Sequence, residues 1–207
     1  MVPEITPSPE MSASQAMRRR TIPDAALNLP NLITLARLFS VPFVIWLIAG
    51  ERYVAAFGLF CGAGISDALD GYIAKRFNRR TRLGAVLDPA ADKALLVGVY
   101  ISLGLAGQLP NWLVALVILR DLLIVFGFVL MLTTESDRHF GPLYISKVNT
   151  LVQILLVGFV LARLGLGIEA GLATALLIIA TAATTALSGV IYLRRWSRIW
   201  SASEPAL

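Results

Sequence analysis

The chain has 207 residues, 57% of them hydrophobic and 15% charged, with a mean hydropathy of +0.75. A soluble domain carries about 25% charged residues, so this composition excludes an ordinary water-soluble globule and indicates a membrane protein with its polar residues gathered in loops and a site. The formal charge of +5 fits basic flanks facing anionic headgroups and implies no nucleic-acid partner. The one cysteine, Cys61, excludes a disulfide framework and reads as packing within a span.

Residues 1–20 read as a tail: Met1 to Ala16 is rich in Pro, Ser and Glu, and Arg18, Arg19 and Arg20 form a basic cluster. No apolar core of a secretory signal is evident there. An interfacial segment, Ile22 to Asn28, leads through Pro30 into the first of six apolar stretches, about 32–49, 53–73, 87–106, 111–133, 148–164 and 171–193, each near the roughly 20 residues needed to span a bilayer. Pro42 lies inside the first, where neighbouring helices can satisfy the carbonyl it frees. The predicted fold is an all-α membrane domain over residues 21–195, followed by a C-terminal tail, 196–207.

Charge sets the orientation. Lys75, Arg76, Arg79, Arg80 and Arg82 crowd the connection between spans two and three, Arg138 and Lys147 that between four and five, and Arg194, Arg195 and Arg198 follow span six. The opposite connections carry Arg52 and Arg163, and the turn Gly107-Gln108-Leu109-Pro110 carries no charge. Under the positive-inside rule both termini and the basic connections are cytoplasmic. His139, the single histidine, falls in the loop before span five and reads as solvated.

Four of the thirteen acidic residues stand at the junction of spans two and three, in Asp67-Ala-Leu-Asp70-Gly71 and Asp88-Pro-Ala-Ala-Asp92. Spacings of three and four put each pair on one face of a helix. Carboxylates at the edge of a bilayer are costly without a purpose. Oxygen ligands without His or Cys favour a hard divalent cation, Mg2+ or Mn2+, or Ca2+, over zinc. Four suit two ions, the arrangement that clamps attacking and leaving oxygens in phosphoryl transfer. Gly71, Ala74 and Gly84 are small enough for a bulky group to lie against the backbone, and the adjacent cations can neutralise a diphosphate. A cation transporter or channel would also place aspartates in a membrane, but would hold them near the midplane. The sequence also shows no internal repeat of the inverted-repeat transporter kind.

The run Asp67-x2-Asp70-Gly71-x2-Ala74-Lys75-x8-Gly84-x3-Asp88-x3-Asp92 resembles the signature of the CDP-alcohol phosphatidyltransferases, with Lys75 where that family usually has arginine. Lysine keeps the charge and loses the bidentate fork, and Arg76 follows directly. The resemblance implies a six-span, usually homodimeric enzyme. Asp67, Asp70 and Asp88 would be metal ligands. Asp92 would approach the metals and act as general base, and Gly71, Ala74 and Gly84 would line a cytidine pocket. Asp67 would also belong to the nucleotide-binding set, and Lys75 or Arg76 would meet the nucleotide's diphosphate. The implied donor is CDP-diacylglycerol.

Outside the signature, Asn28-Leu-Pro30-Asn31-Leu-Ile-Thr34-Leu-Ala-Arg37 resembles the opening of two branches, the phosphatidylglycerophosphate synthases and the CMP-forming cardiolipin synthases. Leu119-Arg120-Asp121, the stretch Tyr144 to Gln153 and the stretch Thr181 to Tyr192 are more similar to the second branch, which implies phosphatidylglycerol as acceptor. Arg37, Arg120 and Lys147 are the candidate contacts for the acceptor phosphate. At position 149 the glycerophosphate branch more often has lysine, and Asn149 is expected to remove a cation beside Lys147. A bacterial inner membrane with a cytoplasm-facing site is the expected location.

Overall fold

The computed structural model describes the backbone of residues 29–77, 82–133 and 144–201, and the side chains of 35–66, 91–126 and 144–194. Residues 1–28, Arg79, Arg80, Arg138, His139 and residues 202–207 lie outside the described residues, and the first part of the predicted C-terminal tail, 196–201, is helical. Among the described residues six helices follow in order: α1 Leu29–Ala49, α2 Tyr53–Phe77, α3 Arg82–Leu105, α4 Asn111–Thr133, α5 Tyr144–Leu166 and α6 Gly171–Ser201. No strand occurs among the described residues.

Each helix grows from one predicted apolar stretch, and most extend beyond it. Pro30 occupies the first turn of α1, where its missing N–H has no intrahelical partner to lose. Pro42 lies in the middle, and the helix continues through it. Hydropathy started the third span near residue 87, whereas α3 begins at Arg82. α6 likewise continues past Arg194 to Ser201. Helical hydrogen bonding does not require apolar side chains, so a hydropathy window marks the membrane-compatible part of a helix rather than its ends.

α3 is the axis of the fold. It packs on α1, α4 and α5, while α2 packs on α1 and α5, and α6 covers α4 and α5. Tyr100, Leu103 and Val99 of α3 are buried with Val44 and Ile48 of α1, Leu113 and Val117 of α4, and Leu156, Val157, Val160 and Leu161 of α5. Gly98 lets α1 approach closely: a β-carbon there would stand 3.2 Å from Val41 Cγ1 and 3.3 Å from Ile45 Cδ1. α6 buries a different kind of face, Thr174, Thr181, Thr185 and Ser188. Their spacings of seven, four and three residues keep them on one side. Small hydroxyl residues allow close helix approach without relying on hydrophobic contrast, which is weak between helices in lipid.

The connections predicted to share one end do so. Arg163 Nη2 donates to Gln108 Oε1 at 3.3 Å, and a β-carbon at Gly165 would lie 3.0 Å from the backbone nitrogen of Val54. The α1–α2, α3–α4 and α5–α6 connections therefore meet. Gly107, at φ 69°, ends α3, and the Gln108 amide returns to the Leu103 carbonyl at 2.8 Å in the manner of a left-handed helix cap. Replacing Gly165 by valine should destabilise the protein by about 1–3 kcal/mol, the usual cost of overpacking, read as a lowered melting midpoint in detergent.

Two helical segments, Tyr144–Leu166 and Gly171–Arg194, are long and apolar enough to cross a membrane; Leu35–Ala49 and Tyr53–Ser66 are shorter apolar segments. Burial runs opposite to that of a water-soluble core helix. Only 17% of the most apolar window of the second segment is buried, and Leu172, Leu176 and Ile179 project outward. Phe39, Phe43 and Trp46 of α1 and Leu119, Leu122 and Phe126 of α4 are exposed as well. Apolar surface on this scale calls for a hydrocarbon surround or a partner.

Candidate active site

The aspartates of the signature lie on two consecutive helices. Asp67 and Asp70 fall in the last three turns of α2, and Asp88 and Asp92 in the first half of α3, with four residues separating the two helices. Each pair is within one continuous helix, so the two backbone positions of a pair fall on one helix face. The side chains of Asp67, Asp70, Lys75, Arg76 and Asp88, like the surroundings of Gly71, Ala74 and Gly84, lie outside the described residues. Among the described residues no group of three His, Cys, Asp or Glu converges; three of the four aspartates are not in that set.

Asp92 is the described member. Its Oδ1 accepts from Arg37 Nη1 of α1 at 2.6 Å, with the guanidinium buried and the aspartate side chain 41% exposed. The structure thus joins two residues that the sequence treated separately, one as base and one as acceptor contact. The carboxylate oxygens of Asp92 are donors of the kind a hard cation takes, whereas the adjacent Arg37 guanidinium offsets part of the charge that would attract one.

The next residue faces another neighbour. Lys93 Nζ lies 2.6 Å from Asp121 Oδ2 of α4, and Asp121 Oδ1 accepts from Arg120 Nη1 at 2.7 Å. Arg120 is itself buried. Its Nη2 donates to Ser146 of α5 at 2.6 Å and to Ser188 of α6 at 2.8 Å, and its Nε also reaches Ser188 at 3.2 Å. Arg120 therefore ties α4, α5 and α6 together. Lys147 is exposed at the start of α5.

Asn149 departs from expectation. It is fully buried, and its Oδ1 accepts from Thr184 at 2.9 Å and Thr185 at 2.8 Å of α6. Two residues along a helix point to different faces, so Asn149 joins α5 to α6 while Lys147 faces out. A lysine at 149 has no acceptor oxygen for these hydroxyls. One turn further, Tyr100 of α3 donates to the Gln153 carbonyl at 3.3 Å.

Sequence reasoning missed Lys93. A cation inside an apolar stretch, next to a candidate catalytic aspartate, was the signal available.

A family model described as CDP-alcohol phosphatidyltransferase matches residues 27–187. The chain belongs to this family. The matched region contains the described Asp92 and Arg37 and the stretches of α2 and α3 carrying the other aspartates. Among relatives, a rice protein called CDP-diacylglycerol--glycerol-3-phosphate 3-phosphatidyltransferase 1, chloroplastic, is 38% identical over 160 residues, covering 69% of this chain and 49% of the relative. The rat cardiolipin synthase (CMP-forming) is 36% identical over 181 residues, covering 80% and 60%. A probable phosphatidylglycerophosphate synthase of Mycobacterium tuberculosis is 33% identical over 175 residues, covering 81% of each. The chain spans about half to three-fifths of the length of the first two. Both acceptor classes are thus represented at similar identity.

Proposed function

We propose that this protein transfers the phosphatidyl group of CDP-diacylglycerol to phosphatidylglycerol, giving cardiolipin and CMP. The observation that carries the choice of acceptor is the connection among the three stretches that resemble the cardiolipin synthase branch. Arg120 of the first donates to Ser146 of the second and Ser188 of the third, and Asn149 of the second accepts from Thr184 and Thr185 of the third. Three stretches far apart in sequence form one hydrogen-bonded unit, so their shared likeness to one branch counts as a single coherent feature. The names of the rice and mycobacterial relatives favour a second reading, with glycerol 3-phosphate as acceptor.

In the proposed reaction the acceptor hydroxyl oxygen forms a bond to the lipid-linked phosphorus. The bond from that phosphorus to the bridging oxygen of CMP breaks, and Asp92 takes the hydroxyl proton. Lys75 or Arg76 would hold the diphosphate with Asp67 nearby, while Gly71, Ala74 and Gly84 leave room for cytidine. Arg37 and Lys147, with Arg120, would bias the site toward the acceptor's phosphodiester. Two Mg2+ or Mn2+ ions, held by Asp67, Asp70, Asp88 and Asp92, would supply charge neutralisation at the phosphate oxygens.

The proposed setting is a bacterial inner membrane. Six spans, both termini cytoplasmic and a homodimer complete the arrangement, with the site at the cytoplasmic interface. Purified protein given CDP-diacylglycerol, phosphatidylglycerol and Mg2+ should release CMP and form cardiolipin, and a chelator should stop both. CMP release that survives metal removal would refute the metal-dependent reading.

A further inference from the structure

Asp92 and Lys93 are consecutive on α3, and each is held by a different neighbouring helix. Arg37 of α1 meets Asp92, and Asp121 of α4 meets Lys93, both at 2.6 Å. Consecutive residues project about 100° apart around a helix axis. Two ion pairs in those directions restrain the rotation and sliding of α3 at the turn that carries Asp92. Asp88, one turn earlier on the same face, shares that setting through the helix.

The anchor on the Lys93 side is itself fixed. The second oxygen of Asp121 is taken by Arg120, which is held by Ser146 and Ser188. The chain Lys93–Asp121–Arg120 therefore refers the azimuth of α3 to α4, α5 and α6 together. Side-chain tips stand about 5–6 Å from a helix axis, so a 10° rotation of α3 moves a carboxylate by about 1 Å. Displacements of that size cost up to about 10²-fold in rate when reacting groups must be aligned.

We propose that Lys93 and Asp121 are positioning residues that set the carboxylates of α3 for metal binding and proton transfer, without touching substrate. This rests on the reading of Asp92 given above. The test uses the full-length protein with Lys93→Met, Asp121→Asn, the double variant and Lys93→Arg. Four readouts apply: melting midpoint in detergent, Mn2+ binding followed by electron paramagnetic resonance, kcat per folded protein, and KM for phosphatidylglycerol.

Each single variant is expected to lower kcat about 10-fold or more and to weaken Mn2+ binding several-fold, with KM for phosphatidylglycerol unchanged. The double variant should be no worse than the poorer single, as for residues acting as one unit. Lys93→Arg should recover most of the loss. A fall in melting midpoint with unchanged kcat and Mn2+ affinity would overturn the proposal in favour of a purely structural tie. A rise in KM for phosphatidylglycerol alone would overturn it in favour of direct acceptor contact. If the wild-type protein releases no CMP, the transferase reading fails separately, and the Mn2+ titrations still decide whether Lys93 and Asp121 set the carboxylates.

Discussion

Replacing Asp92 by asparagine is expected to reduce CMP release by about 10²–10⁴-fold, the usual contribution of a general base, while the protein stays folded and inserted. Asparagine is isosteric and retains an oxygen that can accept from Arg37, so the α1–α3 contact now made at 2.6 Å has a substitute. What is lost is the negative charge, and with it both proton acceptance and one oxygen anion for a divalent ion. The measurement is CMP release per folded protein, with a melting curve as the control for folding. Near-normal turnover in this variant would remove Asp92 as the base.

Arg120→Leu is expected to act mainly on stability. The guanidinium is buried and donates to Asp121, Ser146 and Ser188 on three helices. Leucine leaves those groups without their donor, and breaking a buried charge pair by removing one partner costs about 3–5 kcal/mol. Lys93 still pairs with Asp121, which keeps the loss toward the lower end. The expected result is a melting midpoint lowered by many degrees, with reduced yield of dispersed protein. Arg120→Lys should recover part of it, because one ammonium cannot reproduce a forked set of donors. An unchanged midpoint for Arg120→Leu would contradict the reading of Arg120 as the tie among α4, α5 and α6.

The six helices were legible because apolar length is a local property. The meeting of Gln108 with Arg163 and of Gly165 with Val54 follows from alternating direction, which the charge map had already set. The helical placement of both aspartate pairs was legible from spacing alone. The start of α3 at Arg82 was not, since hydropathy does not register a helix that continues into polar sequence. The Lys93–Asp121 pair was hidden for another reason: its residues lie on different helices, and no periodicity within either helix encodes which face meets which. Asn149 misled through adjacency. Proximity to Lys147 in sequence suggested a shared pocket, but helical geometry turns the two residues apart, and two threonines of α6 claim the amide.

An acceptor competition assay decides between phosphatidylglycerol and glycerol 3-phosphate. Purified protein is supplied with CDP-diacylglycerol and Mg2+, together with equal concentrations of phosphatidylglycerol and glycerol 3-phosphate, and the lipid products are separated. Cardiolipin as the dominant product is the result predicted here. Phosphatidylglycerophosphate as the dominant product would contradict the assignment and place the protein with the glycerol 3-phosphate enzymes.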